Sequence, residues 1–569
     1  MTIYSFGYNS VNASANPSEG LDDDSVSSSQ WRVISGSVGW AVAITATAIT
    51  AITCACAVPL AILGVSVVAT GVGYAVDKIL CYRHICQTAG IIFNQHSVGR
   101  ISNPEGRSDM IATEHGAETE LWRERMIASA EHNIVISGNY CGGKAFDRMI
   151  VALERRLAER PHLKVVVIAS PKFLEKKHYE KFSAMGENVA LIASPDIWHI
   201  SPSIKKSTNH TKVFVVDYGR YWIQGGSGIK DNFVEPGVDG LSRAQYRRQQ
   251  DPDDPVVDGG LLGRMMPGAF RDQDFIGGGG VGRNTVGTQT YLQALLLANQ
   301  MHERNQRLTG KKATPFSVDD IGILSGRASA ARADDSLPRK MLREGLPPEG
   351  TLYSTISEFE IDPRKVADVS VRIFAQGPGH SKSPIGEQLI QKIEQAQSEI
   401  LLNHMYIHPS QEIFDALVRA ANRGVQITII TNGVHDKKIT PQSHYFFAAR
   451  NKYNYNALIK ATKPELRRNV KVYEYKQRKK GNHKKVAIMD DYVIAGSSNL
   501  GLKSTKWSCD DELNFVARSQ ALADRVKEVC MKDIKEGPIK RSVEIKSFKQ
   551  TLSLAIKAAQ QRVLAIFID

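Results

Sequence analysis

The chain has 569 residues, with 72 Lys and Arg against 59 Asp and Glu, a formal net charge of +13. That length and a 42% hydrophobic share exclude a wholly disordered chain and leave room for two domains of ordinary size. The charge favours an anionic partner, and seven cysteines, odd in number and sparse, exclude a disulfide framework.

Residues 1–32 have the Ser- and Asn-rich composition of a disordered polar tail. Residues 33–77 are hydrophobic: from Val33 to Val76 no charged residue occurs over 44 positions, whereas one membrane helix needs about 20. Pro59 near the middle predicts a transmembrane hairpin, roughly 36–57 and 60–76, with both flanks in one compartment. A buried soluble hairpin is the alternative, and the long polar stretch ahead of the segment argues against a cleaved signal peptide. Cys81 and Cys86 flank His84 without further ligands nearby, so no metal is assigned.

Two regions downstream repeat one order of elements. Residues 110–305 are expected to form lobe one: a helix in TELWRERMIASA, a strand in NIVISGNY, a helix in KAFDRMIVALERRLAER and a strand in LKVVVIAS. Residues 366–569 are expected to form lobe two, where IGEQLIQKIEQAQ, EILLNHMY, SQEIFDALVRAANRG and VQITIITNG follow in the same order. Helices alternating with near-continuous apolar strands predict an α/β fold with a mixed, largely parallel sheet flanked by helices in each lobe. Residues 233–268, rich in Pro, Gly, Asp and Arg, form an insert in lobe one, expected as a lid or a surface loop. Residues 306–365 have the composition of a linker, and Gly277–Gly280, with no following Gly-Lys-Ser/Thr, is expected as a turn. Tyr140 and Tyr406 fall at matching ends of the first strands.

Each lobe carries the pattern H-x-K-x-x-x-x-D: His210, Lys212 and Asp217 in HTKVFVVD, then His483, Lys485 and Asp490 in HKKVAIMD. Average residue usage gives such a pair by chance about once in a thousand chains of this length. Each motif follows two lysines and an Asn and precedes a Gly-Ser turn, Gly225–Ile229 and Ala495–Asn499. On a strand the His and Lys, two apart, face one way, while Val213 and Val215 face the other. Imidazole serves as nucleophile when neutral and as acid when charged, and lysine supplies fixed positive charge for a phosphodiester transition state. Ser227, Ser497 and Asn499 are candidate small donors to phosphate oxygens. In-line displacement at phosphorus needs one group to attack and another, opposite, to protonate the leaving oxygen, which accounts for two copies.

Over roughly residues 115–530 the chain resembles the phospholipase D superfamily, whose H-x-K-x-x-x-x-D motif is followed by a G-S-x-N turn. The resemblance implies one active site between two lobes and a covalent phosphohistidine formed without metal or other cofactor. It implies His210 as nucleophile, His483 as general acid, Lys212 and Lys485 as phosphate ligands, and Asp217 and Asp490 as supporting members of the motifs. It also implies an acidic residue after each turn that orients the histidine of its own lobe. FRDQDF offers Asp272 and Asp274, CDDELNF offers Asp511 and Glu512, and Asp274 and Glu512 are preferred. The first turn departs from the pattern, with Ile229 read at the place of the Asn. The layout of the amino-terminal part is similar to that of chlamydial inclusion membrane proteins, which leave the bacterium by type III secretion.

The expected function is a membrane-anchored phosphodiesterase or phosphatidyltransferase acting on phospholipid head groups, with an anionic membrane surface as partner. Lys476, Arg478, Lys479 and Lys480 would place positive charge beside the second motif. A nuclease of the same superfamily, acting on DNA or RNA, and a non-catalytic lipid-binding protein are the alternatives.

Overall fold

The structure, a computed structural model, describes residues 105–194, 197–199, 205–234, 269–279, 285–308, 336–347, 351–377, 382–433, 442–475, 480–536 and 539–541. The expected tail, the hydrophobic hairpin, nearly all of the insert and the run Lys476–Lys479 lie outside these residues. No helix among the described residues is long and apolar enough to cross a membrane.

Lobe one contributes β1 (Gly106–Ala112), β2 (Asn133–Gly138), β3 (Lys164–Ala169), β4 (Val189–Ala193), β5 (Ile197–His199), β6 (Lys205–Ser207), β7 (Lys212–Val216), β8 (Tyr221–Gly225), β9 (Ala269–Arg271) and β10 (Asp274–Gly278). Lobe two contributes β11 (Val366–Gln376), β12 (Glu399–His404), β13 (Gln426–Asn432), β14 (Val470–Tyr475), β15 (Lys480–Asn482), β16 (Lys485–Met489), β17 (Tyr492–Gly496), β18 (Glu512–Arg518) and β19 (Ile539–Arg541). The lobes share one 15-stranded sheet, in the order β19-β14-β13-β12-β16-β17-β18-β11-β1-β10-β8-β7-β2-β3-β4. The first strand of each lobe, β1 and β11, pair antiparallel at the seam. The expected mixed sheet is present, but parallel pairing within it is confined to β2-β3-β4 and β12-β13-β14. The motif strands β7 and β16 lie among antiparallel neighbours, because each turns straight back into the next strand instead of crossing over through a helix.

The helices follow their sequence patterns. Ala145, Phe146, Met149, Ile150 and Leu153 recur at helical spacing and are the buried face of the helix Gly143–Glu159. Its first amides are capped from a distance: Asp231, just past the first turn, accepts from Lys144 N at 3.0 Å and Ala145 N at 2.7 Å. In lobe two the caps are local, Ser383 accepting from Gly386 N at 2.9 Å and Ser410 from Ile413 N at 3.3 Å. The helices Gly143–Glu159 and Gln411–Asn422 cover the outer face of their lobes. On the other face, one core runs across both lobes beneath the helices Thr285–Leu308 and Gln520–Glu536. Val213 and Val215 enter this shared core, as the strand alternation requires.

Two sequence expectations change. Gly277 and Gly278 are strand residues of β10 rather than a turn. A Cβ on Gly277 would lie 2.0 Å from the Trp222 ring, so the glycine lets that ring lie against the sheet. Within residues 306–365, the segment expected as a linker, Met341 and Leu342 are buried in the shared core, and Phe359 packs edge-on to Trp122 and Tyr221 at 6.1 and 5.4 Å.

Candidate active site

The sheet brings the two motifs together by crossing the chain between lobes. β9, just ahead of Asp272, pairs with β15, just ahead of His483, and Asn209 bridges Asp511 in the same way. His210 N donates to Asp511 O at 2.9 Å, and His483 N donates to Arg271 O at 2.8 Å. Each histidine is thereby held against the residue preceding an acid of the other lobe. His210 Nδ1 lies 3.1 Å from Glu512 Oε1, and His483 Nδ1 lies 2.6 Å from Asp272 Oδ2. The expectation that each acid orients the histidine of its own lobe is corrected, since the pairing is crossed.

Asp274 is corrected as well. Ladder register sets Asp274 opposite Gly225 and Asn514 opposite Gly496, so Asp274 corresponds to Asn514 and Asp272 to Glu512. Both members of the first pair hold the turn: Asp274 Oδ1 accepts from Ser227 N and Asn514 Oδ1 from Ser498 N, each at 3.1 Å. Asp274 Oδ2 also accepts from Thr119 Oγ1 at 2.7 Å. The same register places Gly228, not Ile229, where lobe two has Asn499. Ile229 matches the buried Leu500 and packs in the outer core of lobe one. Gly228 is required there, because a Cβ would come within 2.7 Å of Tyr140 Cβ. Gly226 stands where lobe two has Ser497, whose hydroxyl donates to Glu512.

Asp217 and Asp490 stand apart from the chemistry, about 16 Å from the lysines at ~3.3 Å per strand residue. Both adopt left-handed backbone, φ 50°, where each motif strand turns back, a conformation Asp tolerates better than most residues. Asp217 accepts from the amides of Glu131, His132 and Asn133, and Asp490 from those of Gln397, Ser398 and Glu399. They pin the loops leading into β2 and β12 to the motif strands. Their part in the motif is to hold these loops rather than to meet the phosphate.

The electrostatics differ between the histidines. Burial, reinforced by Lys212, pushes the His210 imidazole down to about 4, so it is neutral near pH 7. Burial alone would raise the Glu512 carboxyl, but His210, Lys212 and Ser497 outweigh it and hold it at about 2. An ionised Glu512 fixes the proton on His210 Nδ1 and leaves Nε2 as a free lone pair. Burial lowers Lys212 to about 8 and Lys485 to about 7, and it raises Asp272 to about 6. Lys485 Nζ lies 2.8 Å from His483 Nδ1, and each lysine donates to the carbonyl of its own histidine at 2.7 Å. Asn499 is buried, and its Oδ1 has no hydrogen-bond partner among the described residues. No group of three or more His, Cys, Asp or Glu among the described residues could hold a metal ion.

Sequence reasoning passed over an aromatic wall. Phe233 and Phe270, at the two ends of the insert, lie 5.1 and 4.8 Å from the His483 ring and stack on each other at 4.8 Å. Tyr140 extends the wall against Phe233, and the buried Tyr406 belongs to the same cluster. The available signal was the aromatic residue placed immediately at each edge of the insert.

A family profile described as cardiolipin synthase, phospholipase D-like domain, matches residues 389–534. The chain is similar to cardiolipin synthase B of Salmonella typhi, 31% identical over 158 residues, which are 27% of this chain and 34% of the relative. It is also similar to cardiolipin synthase A of Buchnera aphidicola, 29% identical over 137 residues, 24% of this chain and 25% of the relative. The match thus spans about a third or less of the length of these curated relatives. Among solved structures, the phosphatidylserine synthase of Haemophilus influenzae aligns over 80% of this chain and 93% of its own, with a TM-score of 0.48 and 14% identity. With two H-x-K-x-x-x-x-D motifs converging on one site and lobe two matching that profile, the chain belongs to the phospholipase D superfamily.

Proposed function

We propose that this protein is a phospholipase D-type phosphatidyltransferase or phosphodiesterase acting on phospholipid head groups through a phosphohistidine. The observation that carries this reading is the crossed pair of imidazoles, each hydrogen-bonded to a carboxylate of the other lobe and each followed two residues later by the lysine that opens its motif strand. His210 Nε2, neutral and unprotonated, attacks phosphorus. A nitrogen–phosphorus bond forms, the bond to the head-group oxygen breaks, and His483 gives that oxygen its proton. In the second half, His483 removes a proton from an incoming alcohol or water, whose oxygen displaces His210. Lys212 and Lys485 offset the charge gathering on the non-bridging oxygens, and Asn499 adds an amide donor. Asp272 holds the His483 ring and balances the charge it carries when protonated.

The charge-free span from Val33 to Val76 supports a protein held in a membrane, where this substrate lies. Purified full-length protein in detergent, with chelator present, would be given labelled phosphatidylglycerol, phosphatidylcholine and single-stranded DNA. Lipid turnover with DNA left intact is the expected result. DNA cleavage alone would replace this reading with a nuclease, and no reaction on any substrate would leave a non-catalytic protein. A fragment lacking residues 1–90 is expected to be soluble and active on dispersed lipid. Aggregation of that fragment would make the hydrophobic segment part of a folded core.

A further inference from the structure

A third histidine stands beside the proposed catalytic pair. His404 ends β12 directly opposite Lys485 in the antiparallel ladder, so both side chains project from the same face of the sheet. That face holds the His483 ring, against which Lys485 Nζ rests. The His404 side chain is buried, and neither ring nitrogen has a hydrogen-bond partner among the described residues. Its backbone is fixed: Met405 N donates to Lys484 O at 3.1 Å, and Met405 O accepts from Thr431 Oγ1 and Asn451 Nδ2, each at 3.2 Å. A rigid, buried polar ring without partners is costly unless something arrives to satisfy it.

We propose that His404 is a specificity residue that binds a second hydroxyl of the alcohol entering or leaving at phosphorus, one carbon or two from the reacting oxygen. The inference rests on the reaction proposed above. Burial and the Lys485 ammonium push the His404 imidazole down to about 3, so near neutral pH one ring nitrogen donates and the other accepts. A hydroxyl, itself donor and acceptor, complements that pair. A phosphate oxygen would use only the donor, and it already has Lys212 and Lys485. The lobes also differ here: Gly138 occupies the matching place opposite Lys212, where a Cβ would lie 2.9 Å from Cys141 Sγ. The extra imidazole therefore lies on the side of His483, the group that handles the alcohol's proton.

The test measures the ratio of phosphatidyl transfer to glycerol over transfer to 1-propanol, which has the reacting hydroxyl but no second one. Wild-type protein is expected to favour glycerol, since a site built to bond a hydroxyl rejects the analogue lacking it. In His404→Leu and His404→Phe the ratio should fall about tenfold, whatever the total rate, and His404→Gln, which keeps a donor and an acceptor, should restore most of it. A glycerol preference unchanged in whichever apolar variant folds would overturn the subsite alone. Wild-type protein that transfers to neither alcohol would overturn the subsite, and the proposed reaction falls with it if water does not hydrolyse the lipid either.

Discussion

The two lobes solve one problem with different side chains. In lobe one the acid reaching across to a histidine is Asp272, and the facing turn residue is Gly226; a Cβ there would lie 2.1 Å from the Asp272 carboxylate. In lobe two the acid is Glu512, one methylene longer, and the facing residue is Ser497, whose hydroxyl donates to that carboxylate, as does Ser504 Oγ at 2.8 Å. Glu512 is thus held as a firm anion behind His210, while Asp272 accepts from the Gln273 amide and is raised toward neutrality by burial. The two lobes differ at the positions that set charge, and the difference suits the proposed nucleophile in one lobe and proton carrier in the other.

The largest effect should come from removing either imidazole. His210→Asn is expected to form no covalent adduct with any substrate and to lower turnover by about 10³-fold or more. His483→Asn should lose as much with a lipid head group yet still form the adduct with a nitrophenyl phosphodiester, whose leaving group hardly needs a proton. Mass spectrometry of alkaline-quenched digests reads this directly, and phosphate on the His483 peptide in the His210 variant would reverse the roles.

Exchanging the acid arrangements should cost less. Glu512→Asp shortens the reach to His210 and abandons two hydroxyl donors, and Gly226→Ser forces a side chain into Asp272; each is expected to slow turnover by about 10–100-fold. The double variant Gly226→Ser with Asp272→Glu installs the lobe-two pattern in lobe one and should recover part of that loss. No recovery would mean that the correspondence read from the ladder does not carry the energetics.

The state of His210 sets an acid limb. With its imidazole held at about 4, adduct formation on an activated substrate should persist as pH falls through 6 and decline only near 4. A decline centred at the ordinary histidine value of about 6.5 would show that His210 is not held neutral by its surroundings.

The smallest effects concern the motif aspartates, which should titrate in opposite directions. Asp490 is lowered: burial opposes this, but Ser398 and three backbone amides outweigh it, so its contribution to stability is present above the ordinary carboxylate value of ~4 and lost as pH falls below it. Asp217 is raised by burial despite its own amide donors, so the wild type gains stability as pH falls toward ~4. Asn keeps the left-handed turn at either site. The melting deficit of Asp490→Asn should therefore shrink on acidification and that of Asp217→Asn should grow, by a few degrees at most. Parallel trends would remove the distinction between the two turns.

The sequence by itself determined the duplicated motif, the order of helices and strands in both lobes, and the strands that open at Lys212 and Lys485. These are local properties, set by side-chain period and apolar runs. Glu512 was legible for the same reason, since it follows its turn at the expected spacing. Tertiary structure decided which acid serves which histidine, because β9-β15 and Asn209–Asp511 exchange neighbours between lobes, and pairing between distant strands leaves no periodic trace. It decided Asp272 over Asp274 as well: the two share a face by alternation, and only the ladder register, Asp274 opposite Gly225, tells them apart. The places of Gly226 and Gly228 were hidden because a Gly-Ser-Gly run can be aligned to the motif at more than one offset, and only strand pairing fixes the offset. His404, too, meets Lys485 only across the sheet, 81 residues apart in sequence.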